Sequence, residues 1–269
     1  MASPWPVTVA EKPVVGEDPA LSLESSIGFA HARAGYIIPA GNRLIEPQFR
    51  HFSPPCFEAH VARLQMNGKY HKPLPQLLDG IARAASTLGD VKVDLIGFHC
   101  TATSMEHGPE GEAKIRETIT KETGIPAIST GQAVMEAFRA LSIKCVILIT
   151  PYPQLLNDHE IEFLRVHGIE VVHDVALAAH GNPGLSSLIS PARWLEIARA
   201  NARDNADAYF LSCAGTTQID TISSIEREFK KPVVNSNQAM LWATFNRLTE
   251  KLGPLRPTPA LGRLWTKTI

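Results

Sequence analysis

Two cysteines, Cys100 and Cys213, lie at matched places in two similar stretches of the chain. The stretches read DLIGFHCTATS over 94–104 and DAYFLSCAGTT over 207–217, so each is an apolar run that ends at a cysteine. A thiol between the end of a strand and the N-terminus of a helix is stabilised as the thiolate by backbone N–H groups and the helix dipole. We therefore expect lowered pKa values, and thiols that serve as base, acid or nucleophile at neutral pH.

The residues that follow the two cysteines are small, and most carry hydroxyl groups. Turns of this kind at helix N-termini bind anions through backbone N–H groups. The chain has no GxGxxG motif and no P-loop, which favours a carboxylate over a dinucleotide phosphate as the anion. We expect Thr101, Ala214 and Gly215 to contact a substrate. The neighbouring positions share the pattern: Thr103, Ser104, Thr216 and Thr217.

The other thiols and the histidines are weaker candidates. A single cysteine at a strand end is more often a small core residue than a catalyst, and we interpret Cys56 and Cys145 in that way. His99 points away from Cys100 because adjacent side chains on a strand alternate, so it is interpreted as packed beneath the turn. No HExxH or CxxC spacing is present, and we expect no metal site and no disulfide. Three further histidines near strand ends could line a cleft: His31, His173 and His180.

The similarity between the two cysteine stretches continues along the chain. Residues 124–141 can be laid over 230–248, with Gln132 and Gln238 each six positions after a proline. This indicates an internal duplication of a strand, cysteine turn, helix, strand and helix. Because both cysteine turns then lie at equivalent strand ends, they can face one cavity from opposite sides.

Strands alternate with helices in the predicted elements. This pattern favours an α/β fold of two pseudo-symmetric domains, each a parallel sheet flanked by helices, with the active site in the cleft between them. The predicted domains are an N-terminal extension over 1–25, a first α/β domain over 26–130 plus 236–269, and a second over 131–235. The predicted strands are 26–31, 57–64, 94–99, 126–128, 144–150, 169–173 and 208–212. One predicted helix begins near Glu46. The other predicted helices span 74–88, 112–123, 132–141, 157–167 and 191–205. The segment 32–42 is predicted to be a Gly/Pro-rich loop, and the tail from Gly253 to be irregular.

Composition excludes some classes of function. Of the 269 residues, 44% are hydrophobic and 20% charged, and the formal net charge is −1. Such a chain has no overall electrostatic attraction to nucleic acid or to acidic membranes. No apolar run reaches the roughly 18 to 20 residues of a membrane span, and the chain begins with no signal-peptide pattern. We expect a cytoplasmic protein with reduced thiols.

Several short motifs, taken in order, resemble the aspartate/glutamate racemase superfamily, and within it the branch of maleate cis-trans isomerase and arylmalonate decarboxylase. They are PAGNRLIEP over 39–47, TPY over 150–152, GNPGL over 181–185 and LSCAG over 211–215, and the resemblance runs from about Ile27 to Leu264. It implies a cleft site without metal or organic cofactor, a small carboxylic-acid substrate, and a homo-oligomer of two or more subunits. It also implies that Asn42, Tyr152 and Asn182 hold the substrate carboxylates.

The resemblance makes Cys100 the candidate nucleophile and Cys213 the candidate acid/base. In an isomerase, the Cys100 thiolate would add to the double bond of a diacid, and elimination after rotation would give the trans isomer. In a racemase, one cysteine would remove an α-proton and the other return it to the opposite face. A decarboxylase with Cys213 alone as proton donor is a second reading, and a non-catalytic carboxylate-binding protein a third. Arylmalonate decarboxylase lacks the first cysteine, which counts against the decarboxylase here.

Three departures from the family pattern leave the identity of the substrate open. They are the extension at 1–25, the segment 28–36, and His99 before the first cysteine. Arg33 or Arg43 would suit a second carboxylate, although an arginine on such a loop is more often simply exposed to solvent.

Overall fold

The computed structural model describes residues 31–66, 72–178, 186–256 and 258–269. The predicted extension at 1–25, nearly all of the predicted strand at 26–31, and the loop containing His180 and Asn182 lie outside the described residues.

The described chain forms two four-stranded sheets in which every pair of neighbouring strands is parallel. The first sheet has the order β2-β1-β3-β4 and the second β6-β5-β7-β8, so the same arrangement occurs twice. The strands are β1 (Ala32–Pro39), β2 (Phe57–Leu64), β3 (Leu95–Phe98), β4 (Ala127–Ser129), β5 (Cys145–Thr150), β6 (Glu170–Ala176), β7 (Ala208–Leu211) and β8 (Val233–Asn235). The predicted α/β fold with two related parallel sheets is confirmed. The domain boundaries themselves stay a prediction.

Helices lie between successive strands and after the last strand of the described chain. They are α1 (Ile45–Phe52), α2 (Leu74–Asp90), α3 (Thr101–Met105), α4 (Gly108–Thr123), α5 (Thr130–Ala140), α6 (Gln154–Val166), α7 (Pro191–Ala200), α8 (Ile222–Phe229), α9 (Ser236–Arg247) and α10 (Thr249–Leu252). The helix predicted over 191–205 ends earlier, at Ala200. None of the helices in the described part of the chain combines the length and the apolar character that a membrane span requires.

The segment 32–42 corrects the prediction, because most of it is strand β1 and not a loop. β1 is paired on both sides, with β2 and with β3. Gly35, which suggested a turn, lies against α2, where an added Cβ atom would be 2.9 Å from Leu88 Cδ1. The glycine is there because helix and strand approach closely, and a close approach leaves no periodic signal in the sequence.

The two glutamines of the duplicated segments each lie at the third position of a helix. Only Gln238 caps its helix with its side chain, since the Gln132 amide donates to Glu136 instead. Asn235 caps α9 by accepting from the Gln238 backbone N–H, and the Gln238 side chain accepts in return from the Asn235 N–H at 2.9 Å. In the first copy the Ser129 side chain accepts from the Gln132 N–H at 3.0 Å. α5 and α9 pack against each other. Both helices therefore begin at a fixed point directly after a strand.

Replacing Asn235 by alanine is expected to lower the free energy of unfolding by about 2–3 kcal/mol. The loss of an N-cap accounts for about 1 kcal/mol. The remainder arises because the buried Asn235 amide also donates to the Leu211 carbonyl at 2.9 Å, which would lose its partner. Urea denaturation measures the change, and Ser190→Ala, at the exposed cap of α7, is the matched control with about 1 kcal/mol or less. Equal losses in the two variants would contradict the additional role of Asn235.

The tail after Gly253 is more ordered than predicted. It contains two short 3-10 turns, Pro259–Leu261 and Arg263–Thr266, and buries Trp265. The side chain of Gln238 donates to the Leu261 carbonyl at 2.7 Å, which fastens the tail to α9.

Candidate active site at the two cysteine turns

The first cysteine turn is compact. Cys100 is the N-cap residue of α3, which is only five residues long, and its backbone is extended. The thiol donates to Thr103 Oγ1 at 3.1 Å, and Ser104 N–H donates to the Cys100 carbonyl at 2.9 Å. Thr101 is buried. The turn therefore presents Cys100 at the carboxyl end of β3.

The second cysteine turn is strained. Cys213 has φ = 141°, a backbone conformation that residues other than glycine seldom adopt and that costs about 1–3 kcal/mol. Hydrogen bonds on both sides keep it there. Gly215 N–H donates to Cys213 Sγ at 3.3 Å, and the Ala214 carbonyl accepts from the side chains of Asn42 at 3.1 Å and Asn237 at 3.2 Å.

Ser236, the first residue of α9, joins the two turns. Its Oγ lies 2.8 Å from Thr101 Oγ1 and accepts from the Cys213 N–H at 3.1 Å. A negative charge on Cys100 raises the pKa of Cys213, as expected for neighbouring thiols. The structure thus brings Cys100 and Cys213 to one site, as the duplication predicts.

Tyr152 and Asn42 lie at the same site. Tyr152 packs with Ala102 and Cys213, and its hydroxyl group hydrogen-bonds to the sulfur of Cys213. Asn42 lies beside Gly215, where an added Cβ atom would be 3.6 Å from Asn42 Nδ2. The Asn42 side-chain oxygen accepts from two backbone N–H groups at the start of α1, so the amide is held with its nitrogen toward the Cys213 turn. Asn182, the third predicted carboxylate ligand, lies outside the described residues.

The pKa values of the two thiols correct the prediction, because both are raised and not lowered. Burial raises the pKa of Cys100 and raises that of Cys213 to about 12. The hydrogen bonds between Cys100 and Thr103, and between Cys213 and both Tyr152 and Gly215, oppose this shift and are smaller effects. A five-residue helix has a weak dipole, and the Cys213 turn is followed by a 3-10 segment and not directly by a helix. Both groups are therefore thiols in the substrate-free protein.

His99 is the packed histidine that the strand alternation predicts. It is fully buried, with Nδ1 2.9 Å from Thr130 Oγ1 and Nε2 2.8 Å from Asn237 Oδ1. Burial lowers the pKa of His99 to about 3, so the ring is neutral. Its partner Asn237 donates to the Ala214 carbonyl, so His99 lies beneath both cysteine turns.

The remaining candidates lie elsewhere or have other partners. His31 is exposed before β1, and His173 Nε2 lies 2.9 Å from Asn201 Oδ1. Arg33 forms an ion pair with Glu58 on the neighbouring strand, and Arg43 is exposed. Cys145 donates to the Asn205 carbonyl at the opposite end of β5 from the site. In the described segments, no three His, Cys, Asp or Glu side chains are grouped so that they could hold a metal ion.

Sequence reasoning missed three residues that support the site. Ser236 and Asn237 lie in the duplicated segment directly before Gln238. Ser236 is matched by the hydroxyl residue Thr130 of the first copy, whereas Asn237 is matched by Gly131 and so gave no signal. Glu160 on α6 gave no signal, because it falls among apolar positions of an ordinary helical pattern. It is fully buried, and burial raises the pKa of its carboxyl group to about 8.

Comparisons with known proteins agree with this geometry. A family model described as arylmalonate decarboxylase matches residues 35–263. A maleate isomerase of Geobacillus stearothermophilus is 26% identical over 235 residues, which are 82% of this chain and 93% of the relative. An arylmalonate decarboxylase of Bordetella bronchiseptica is 28% identical over 188 residues, 70% of this chain and 76% of the relative.

Two solved structures of Nocardia farcinica maleate cis-trans isomerase share the fold. The protein bound to Tris has a TM-score of 0.75 at 22% identity, with 87% of this chain and 97% of that chain covered. A cysteine-to-serine variant with a covalently bound succinylcysteine intermediate has a TM-score of 0.72 at 22% identity, with 81% and 92% covered.

Proposed function

Because the chain belongs to the arylmalonate decarboxylase family, we propose that it is a cofactor-independent isomerase that converts a small maleate-like diacid to its trans isomer with two cysteines. The observation that carries this proposal is the junction of the two cysteine turns at Ser236, whose Oγ accepts from the Thr101 hydroxyl group and from the Cys213 N–H. The relatives named maleate isomerase, and the succinylcysteine intermediate in one of their structures, support a covalent step.

Binding of the substrate carboxylates falls to groups that surround the thiols. The candidates are the backbone N–H groups of the two turns, the amide nitrogen of Asn42, and the hydroxyl group of Tyr152. Within the described residues, Asn42 Nδ2 has one hydrogen bond, to the Ala214 carbonyl, which leaves its second N–H for a carboxylate oxygen. Donors of this kind also stabilise the charge that moves onto a carboxylate during the reaction, and one well-placed donor is worth about 2.7–4 kcal/mol.

The covalent step uses the fraction of the protein in which the Cys100 thiol has released its proton to solvent and is a thiolate. Its sulfur forms a bond to one alkene carbon, and the π electrons move toward the carboxylate on the other carbon. That carbon takes the proton of the Cys213 thiol, which leaves a saturated adduct on Cys100 and a thiolate on Cys213. The former double bond rotates. The Cys213 thiolate then removes the proton, the double bond re-forms, and the Cys100 thiolate leaves.

The raised pKa of Cys213 suits its role as the proton donor, because the group stays protonated until charge develops next to it. The same property suits a decarboxylase, in which Cys213 would protonate the carbanion left after loss of carbon dioxide. Decarboxylation is therefore the second candidate. Racemisation of an α-chiral acid uses the same two thiols in turn, one to remove and one to return the proton.

A single NMR experiment separates these reactions. The protein is incubated in deuterated water with maleate, with a substituted malonate and with a single enantiomer of an α-chiral acid. We expect the olefinic signal of maleate to be replaced by that of fumarate. Loss of carbon dioxide from the malonate would instead support the decarboxylase, and deuterium at the α-carbon the racemase. No change in any substrate would support a non-catalytic carboxylate-binding protein. The cytoplasmic location and the homo-oligomer implied by the resemblance stay predictions.

A further inference from the structure

Glu160 is a buried carboxyl group that the proposed reaction leaves unused. It lies on α6 and has no exposed surface. Neither of its oxygens makes a hydrogen bond within the part of the chain that the structure describes, and the nearby hydroxyl group of Ser212 likewise has no partner of normal geometry. The Ser212 hydroxyl group is nevertheless close enough to favour the ionised carboxylate to a small extent. A buried carboxylate in such surroundings is strongly destabilised relative to the neutral acid.

Among the described residues no cation stabilises the Glu160 carboxylate, since only burial and the Ser212 hydroxyl group shift its pKa. α6 packs against α3, α4 and β6. On these elements and the adjacent turns, the titratable or charged groups that are not exposed are Cys100, Glu106, His107, Glu112, Arg116, Tyr152, His173, Asp174 and Cys213. The exposed ones are Glu110, Lys114, Glu117, Lys121, Glu122 and Glu170. Lys114 and Lys121 are exposed on the surface of α4, and Arg116 is bound to Glu112 at 2.6 Å. Asp174 accepts from Asn157 on α6 at 3.1 Å.

Glu160 is also electrostatically coupled to the reactive groups. Negative charge on this carboxylate raises the pKa of Cys100, of Cys213 and of Tyr152. The coupling is mutual, because a thiolate on either cysteine must disfavour the Glu160 carboxylate by the same amount. Two negative charges in one buried cluster repel each other far more than they would in water.

We propose that Glu160 and the two cysteines share a single negative charge, so that a reactive thiolate exists only while Glu160 carries a proton. Glu160 is then a positioning residue that acts through the thiols without touching the substrate. In the proposed isomerase the charge passes from Cys100 to Cys213 and back, and Glu160 stays neutral throughout. The inference rests on the proposed function for its place in turnover, whereas the charge coupling itself requires no substrate.

The coupling predicts how thiol reactivity depends on pH. Burial raises the pKa of Glu160 to about 8, below that of Cys213, so the first proton lost from the cluster is that of Glu160. Below about pH 8 Glu160 is protonated, and the fraction of the protein that carries a cysteine thiolate rises roughly tenfold per pH unit. Above about pH 8 ionised Glu160 competes for the single charge, and the thiolate population levels off.

Alkylation by iodoacetamide, with each cysteine followed by peptide mass spectrometry, tests the coupling in the substrate-free protein. In the wild type, the rates at Cys100 and Cys213 should rise with pH and level off near 8. In Glu160→Gln they should continue to rise and exceed the wild-type rates at least tenfold at pH 9.5, with similar rates at pH 7. The peptide containing Cys56 is the internal control. Glu162→Gln is the matched variant, since Glu162 is exposed on the same helix, and it should behave as wild type.

Glu160→Leu, which places an apolar side chain in the same buried position, should give the profile of Glu160→Gln and serves if the glutamine variant does not fold. Infrared spectra in deuterated water provide an independent measurement. The folded wild type should retain the band of a protonated carboxyl group at pH 7 and lose it with a midpoint near 8, and the band should be absent from Glu160→Leu. Superimposable alkylation profiles in all variants, or a Glu160 that is ionised at pH 6, would overturn the proposal. Altered profiles in a protein that isomerises none of the diacids would uphold the coupling and reject the isomerase.

Discussion

Replacing Cys100 by alanine is expected to lower kcat/KM for cis-trans isomerisation by more than about 10⁴-fold, the scale of loss when a nucleophile is removed. Without the sulfur atom no adduct forms, and the double bond keeps its barrier to rotation. The fold should be unaffected, since the thiol donates a single hydrogen bond, to Thr103 within its own turn. Steady-state kinetics on maleate, with circular dichroism to verify folding, measure the effect.

Cys145→Ala is the control for the loss of Cys100, because this thiol lies at the start of β5, away from the site, and should leave kcat/KM within about twofold. Full activity in Cys100→Ala would exclude the adduct mechanism. Carbon dioxide release that persists in Cys100→Ala and disappears in the Cys213 variant would instead identify a decarboxylase.

Replacing Cys213 by alanine is expected to reduce turnover about 10²- to 10⁴-fold, the range for loss of a positioned general acid and base. The reason differs from that for Cys100. The Cys100 thiolate can still add to the double bond, and water can supply the proton that Cys213 would give, but no group is placed to remove that proton and complete the elimination. The adduct should therefore accumulate on the protein.

Mass spectrometry of the intact protein distinguishes the roles of the two cysteines. After incubation with maleate, Cys213→Ala should gain the mass of one diacid on the peptide that contains Cys100, whereas Cys100→Ala should gain none. An adduct on Cys213 in Cys100→Ala would mean that the two roles are exchanged. Equal residual turnover and no adduct in either variant would contradict the covalent mechanism.

The internal duplication was the most informative feature of the sequence. The duplication pointed to two sheets with matched cysteine turns, and the sheets have the same strand order. It also marked Gln132 and Gln238, whose backbone N–H groups both donate to the cap residue at the start of their helix, at the same distance from each strand. Features that arise from local geometry repeat with the backbone, which is why a single chain reveals them.

Strand β1 shows that the periodicity of a sequence does not report close contacts between distant elements. Gly35 suggested a turn, yet it lies in the middle of a strand because the Leu88 side chain lies directly over it. Propensity describes the residue alone, and here a contact with a helix more than fifty positions away determined its structure.

The pKa values of the site residues also could not be predicted from the sequence. The predicted helix dipole favoured thiolates, whereas the depth of burial, which depends on the whole fold, favours thiols at Cys100 and Cys213. Glu160 illustrates the same limit. Nothing near it in the chain indicates that α6 carries its carboxyl group to the cysteine cluster, since that arrangement depends on the packing of α6 against α3.

The left-handed backbone at Cys213 restricts which residues evolution or design can place there. Glycine alone adopts φ near 141° without strain, so Cys213→Gly would relieve the turn while deleting the sulfur atom. Selection for stability and selection for a thiol therefore oppose each other at this position. In a descendant of this chain that no longer needs the reaction, we expect glycine to replace cysteine at this position. Retention of cysteine would then indicate that the reaction is still under selection.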